Sequence, residues 1–143
     1  MKISKTIFVN FLFVAFFTTT LLTFADENET KKQALKSAES WLNLVDNGEY
    51  GKSWDNTSKL FQNAVPKATW EQQIKAVRPP FGKVISRKLE SSTYATQLPG
   101  APDGEYVVIQ YKTVFENKAI SVETITPMKD PDGKWKVSGY YIK

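Results

Sequence analysis

The chain has 143 residues, 41% hydrophobic and 24% charged, with no cysteine and no histidine, a length suited to one self-supporting core. The two missing residue types exclude a disulfide framework, thiolate or imidazole catalysis, a Ser-His-Asp arrangement and the usual zinc sites. The formal net charge of +4 is not massed in a basic stripe of the kind that neutralises phosphates, so no nucleic-acid partner is expected.

Lys2 and Lys5 precede an apolar run from Ile7 to Leu22, and Thr23-Phe24-Ala25 follows. A basic start, a greasy middle and small residues at the third and first positions before a cut form a secretory leader. Residues 1–25 therefore read as a signal peptide and residues 26–143 as a single domain. The alternative is an uncleaved anchor, since the run approaches the roughly 20 residues that cross a bilayer; Asn10 and the threonines at 18, 19, 20 and 23 weaken it. Both lysines lie before the run, so the domain is expected outside the cytoplasm in either case, periplasmic or secreted. Cleavage would remove two lysines and no acid from the 19 basic and 15 acidic side chains, which leaves the exported part nearly balanced.

The exported part opens with helical periodicity. From Thr30 to Asp46, Ala34, Leu35, Ala38, Trp41, Leu42 and Val45 recur at three- and four-residue spacing on one face, and Asn47-Gly48 supplies a left-handed stop. A second helix fits Glu49 to Phe61, with Tyr50, Trp54, Thr57 and Phe61 on a shared face. After Pro66, Thr69 with Gln72 reads as an N-cap and its partner, and Trp70, Ile74 and Val77 form a buried stripe. Arg78-Pro79-Pro80 ends this third helix.

Beyond Gly82 the period changes to two. Strands are expected over Lys83–Thr96, Glu105–Phe115, Ala119–Met128 and Lys134–Ile142, joined by Glu116-Asn117-Lys118, by Asp130-Pro131-Asp132-Gly133 and by the Pro- and Gly-rich segment Gln97–Gly104. Short connections in succession imply an antiparallel meander. The fold class is therefore α+β, with three N-terminal helices packed on a curved four-stranded sheet.

Four stretches carry a family resemblance: Trp41-Leu42 to Gly48-Tyr50-Ser53-Trp54; Arg78-Pro79-Pro80-Phe81-Gly82 to Ser86-Arg87; Leu98 to Tyr106; and Gly133 to Tyr141. In this order they resemble a bacterial family of exported domains known as domain of unknown function 4019. The resemblance implies a small envelope domain and brings no activity with it. The order of helices and meander is also similar to the cone-shaped nuclear transport factor 2 fold, a likeness of architecture alone.

Arg78 and Arg87 stand out because every other basic residue of the exported part is a lysine. Without a bulge, Arg87 shares a strand face with Ile85 and Leu89, and Glu123 alternates with Ala119, Ser121 and Ile125, so a half-buried bidentate Arg87–Glu123 pair is one reading. The other is a pocket in which Arg87 and Glu123 meet an anionic ligand with help from Tyr106, Tyr111 or Tyr140, and with Arg78 at its mouth. Arg78 is otherwise expected to serve the last carbonyls of its helix. Trp41, Trp54 and Trp70 read as core, Tyr140 and Tyr141 as residues on opposite faces of the last strand, and Asp103, Asp130 and Asp132 as turn chemistry.

No nucleotide loop, metal ladder or spaced acid–base pair is present, so no cofactor, metal or catalytic residue is expected. The leading expectation is an exported, non-catalytic binding domain for a small molecule or peptide, marked by a concave cavity lined with Arg87 and tyrosines. A protein–protein interaction domain would instead show a solid core and an open sheet edge or apolar patch. A cone-fold enzyme using Glu123 or a tyrosine is the remaining class.

Overall fold

A computed structural model describes residues 18–143. The helices are α1 (Thr18–Asp46), α2 (Tyr50–Asp55), α3 (Lys59–Ala64) and α4 (Lys67–Val77), followed by a 3₁₀ turn over Pro79–Phe81. The strands are β1 (Val84–Ala95), β2 (Tyr106–Phe115), β3 (Lys118–Lys129) and β4 (Trp135–Ile142). They form one antiparallel sheet in the order β1-β2-β3-β4. The expected leader, residues 1–25, lies mostly outside the described residues. Among the described residues no helix is long and apolar enough to cross a membrane.

α1 begins before the expected Thr30 and buries Ala34, Ala38, Trp41, Leu42 and Val45 against the sheet. Its end is a Schellman motif: the Glu49 amide reaches the Leu44 carbonyl, and the Gly48 amide, at φ 72°, reaches that of Val45, so glycine bears the left-handed turn.

The single helix expected over Glu49–Phe61 is two, which raises the α-helices from three to four. Thr57 turns its hydroxyl back to the Trp54 carbonyl, and Ser58 accepts the Phe61 amide as the N-cap of α3. Local hydroxyl bonds of this kind compete with helix continuation. At the break Thr57 forms a parallel bridge to Val137, and the Ser58 amide bonds the Val137 carbonyl. Asp130, expected only as turn chemistry, is buried and accepts the Lys59 amide at the start of α3.

α4 starts at Lys67, directly after Pro66, so Thr69 lies inside the helix and caps nothing. Trp70 and Ile74 are buried as expected, but Val77 is 44% exposed and the next residue, Arg78, takes the inward position.

Trp41 and Trp70 pack at a tilt with ring centroids 5.7 Å apart, and Tyr140 and Phe61 lie edge-on beside them. Both indole N–H groups end on one buried residue: Trp41 donates to the Ser53 carbonyl and Trp70 to the Ser53 hydroxyl, each at 2.9 Å. Trp54, half-buried, donates to the Val65 carbonyl. These three indoles are thereby packed inside without orphaned donors.

The sheet's inner face carries Val107, Ile109, Tyr111, Thr113 and Phe115 from β2 and Ser121, Glu123, Ile125 and Pro127 from β3, all buried. Pro127 is tolerated in an interior strand because the β3–β4 register shifts there, between Thr126 and Pro127. A bulge also interrupts β1. Val84 pairs with Phe115 but Ser86 with Val114, so Ile85 is the extra residue and Arg87 falls opposite Thr113. Uninterrupted pairing would have set Arg87 opposite Lys112, on the outer face. The bulge turns Arg87 inward and separates it from Ile85, which is 64% exposed. Tyr140 packs on the core and Tyr141 lies on the open side.

Gly82, at φ 76°, links the 3₁₀ turn to β1, and an added Cβ would lie 2.9 Å from the Glu116 Cβ. Gly100, at φ 77°, has open space around it. Gly100→Ala should therefore cost only the conformational penalty of about 1–2 kcal/mol, and Gly82→Ala clearly more. Urea midpoints of the two variants check the difference.

Candidate functional site

The polar groups nominated from sequence meet between the helices and the sheet. Arg87 on β1 donates Nε to Glu123 Oε2 at 2.7 Å and Nη2 to Oε1 at 3.1 Å. The same guanidinium reaches the Asp46 carboxylate through Nη1 and Nη2, at 2.7 and 3.1 Å. Asp46 also takes Arg78 Nη2 at 3.0 Å. Two guanidinium groups and two carboxylates thus form one chain of ion pairs whose charges cancel.

Glu123 is fully buried, and its remaining valences are filled by the Tyr140 hydroxyl at 2.8 Å and the Thr113 hydroxyl. A carboxylate buried this completely keeps its charge only with such partners. Arg87 feels opposing effects: burial disfavours its charge, while hydrogen bonds to Asp46 and Glu123 outweigh that and raise its pKa further. Burial and then the Glu123 carboxylate hold the Tyr140 phenol far above its ordinary value. Burial and the nearby Glu39 push Tyr111 up to about 12.

Arg78 differs from its expected role. It does not serve the last carbonyls of α4; its Nη1 donates to the Gly82 carbonyl at 2.6 Å, and its guanidinium lies 4.5 Å from the Phe115 ring centroid. Tyr111 adjoins the network, pairing across strands with Glu123. The Tyr111 and Ser121 hydroxyls and Arg78 Nε are buried without a hydrogen-bond partner among the described residues. Tyr106 is not part of the site: its hydroxyl donates to the Pro102 carbonyl and pins the Gln97–Gly104 loop. Sequence reasoning missed Asp46 and Thr113. The signal for Asp46 was available, because an acid in the last turn of a helix opposes the helix dipole and calls for a cation.

The expected concave cavity lined by Arg87 and tyrosines is not what these residues build. Arg87 and Tyr140 turn their polar atoms on Glu123, and Trp41, Trp70 and Tyr140 fill the neighbouring space. Among the described residues no group of three acids is arranged to hold a metal ion. Two concavities lie at the surface: a groove of about 340 Å³ between α1 and the start of β4, and another of similar size around Gly48–Lys52 and α4.

Replacing Arg87 by Met leaves Glu123 buried and uncompensated, so the expected loss is about 3–5 kcal/mol. Adding Glu123→Gln to that variant should restore part of it, because the unpaired charge is gone; urea unfolding of both measures the effect. The phenols set a second test. A Tyr140 pKa raised above its unfolded value of 10.0 contributes stability that is complete below pH 10 and lost as pH climbs toward the folded pKa. Stability should fall as pH rises from about 10 upward, and Tyr140→Phe should flatten that fall, followed by unfolding free energy and tyrosinate absorbance.

No curated protein and no solved structure matches the chain at significant similarity. A family model does, over residues 37–140, a span holding the end of α1, the remaining helices, the whole central network and all but the end of β4. The chain belongs to the family described as Protein of unknown function, DUF4019.

Proposed function

We propose that this protein is an exported, non-catalytic accessory domain that works by binding a partner protein at its surface. Export rests on Lys2, Lys5 and the apolar run Ile7–Leu22. The observation that carries the surface reading is the mutual pairing at the centre: Arg87, Glu123, Asp46 and Tyr140 spend their hydrogen-bonding capacity on one another. A ligand entering there would have to break a buried ion pair before gaining a contact. The non-catalytic part rests on the same fact, since acid–base work needs a group free to exchange a proton with a substrate.

The outside is better supplied with binding features than the inside. Ile85, Ile120 and Tyr141 are large apolar side chains left more than half exposed, and Leu89 is nearly so. The open sheet has β1 as its free margin, β4 being covered at Val137 by Thr57 and Ser58, and the grooves beside α1 and α4 are open to solvent. Such features suit a protein or peptide partner.

A thermal-shift screen of envelope metabolites on the purified protein separates this reading from the pocket. A ligand present at 100 times its Kd stabilises by about 2.7 kcal/mol. The expected result is no small-molecule shift. A metabolite that raises Tm in the native protein but not in Tyr111→Phe would restore the interior pocket and overturn the surface reading.

A further inference from the structure

The groove between α1 and the start of β4 has an unusual electrical lining. Lys36 from α1, Lys134 just before β4 and Lys136 from β4 border it, and no acidic side chain does. None of the three makes an ion pair among the described residues. The acids nearest in sequence, Glu39 to Lys36 and Asp132 to Lys134, neither line the groove nor pair with these lysines, and Asp132 accepts the Lys134 amide. In a chain whose exported part is nearly charge-balanced, three unanswered ammonium groups around one depression favour an anion there over water alone.

The floor is apolar and fixed. Trp135 and Leu44 supply it, and the Ser37 hydroxyl donates to the Trp135 carbonyl at 2.8 Å, which ties α1 to β4 and sets the groove's width. Asn56 also lines the groove; its amide nitrogen donates to the Lys52 carbonyl, and its carbonyl oxygen takes no hydrogen bond among the described residues. Apolar floor, cationic rim and a neutral acceptor together describe a seat for a peptide more than for an inorganic anion.

Three features separate carboxylates from phosphates. The cations are lysines, point charges on flexible stems, with no arginine fork for bidentate phosphate binding. No glycine lines the groove among the described residues, so it holds no glycine-rich loop to cradle a phosphoryl group. Three charges are also too short a track for a nucleic acid strand. Resting on the surface-binding reading above, we infer that this groove binds an acidic peptide segment, with carboxylates on Lys36, Lys134 and Lys136 and one apolar side chain on the Trp135–Leu44 floor.

The test uses the purified protein and a labelled, end-blocked peptide alternating Glu and Leu, read by fluorescence anisotropy and by the indole emission. Binding should weaken with salt and vanish for the same peptide carrying Gln in place of Glu. Lys36→Gln, Lys134→Gln and Lys136→Gln should each weaken it about 2- to 5-fold, as expected for solvent-exposed ion pairs, and Lys88→Gln on β1 should leave it unchanged. Equal binding of the Gln peptide, or indifference to all three lysines, overturns the inference. Tighter binding of polyphosphate than of the Glu peptide also overturns it and assigns the groove to a phosphate chain. Absence of any peptide binding removes the groove assignment alone; only a metabolite acting through Tyr111 removes the surface reading beneath it.

Discussion

A guanidinium shared by two carboxylates is the constraint around which the rest of this molecule is arranged. Arg87 enters from β1, Glu123 from β3 and Asp46 from the end of α1, while Arg78 completes the charge balance from the end of α4. Thr113 and Tyr140 bring β2 and β4 to the same carboxylate. Every strand and both longer helices therefore have a stake in one cluster. Bringing these charges out of water is costly, and a hydrophobic substitute of equal volume would often serve stability as well. What the charges add is intolerance of error. Slipping β1 by one residue would turn Arg87 to the outer face and strand Glu123, a far larger penalty than exchanging one aliphatic contact for another.

That intolerance explains the bulge. A regular pairing from Val84 and Phe115 onward would leave Arg87 across from Lys112, cation against cation. One additional residue restores the phase, at the cost of a stretched ladder and an isoleucine in solvent. The same economy operates in the aromatic layer, where Ser53 answers two indoles at once. In both places a single polar residue meets several obligations, so its replacement is felt across several elements.

How far the fold was legible followed from how local each signal was. The strands were readable because alternation needs only neighbours: Val107 to Phe115 buries every second residue. The first helix and its glycine stop were readable for the same reason. The break at Thr57-Ser58 was not, since a helix-compatible face runs through it and the deciding partner, Val137, lies far along the chain. Val77 fitted the apolar stripe of its helix, yet the inward position went to Arg78, whose partner Asp46 lies 32 residues earlier. The Arg87–Glu123 pairing could be conceived from alternation and side-chain chemistry, whereas the bulge that makes it geometrically possible left no mark in composition. Asp130 showed the same limit: Asp before Pro reads as a turn, and nothing nearby announces that its carboxylate holds the start of α3.

The contact of Thr57 and Ser58 with Val137 has a consequence for how copies of this protein behave at high concentration. A bare sheet margin is a template on which identical chains stack into fibrils. Here the connection between two short helices lies along that margin like a sheath and occupies the Val137 carbonyl. Ordered stacking from this side must first strip the sheath away, so resistance to self-assembly is tied to the integrity of the helical layer and not only to the sheet itself.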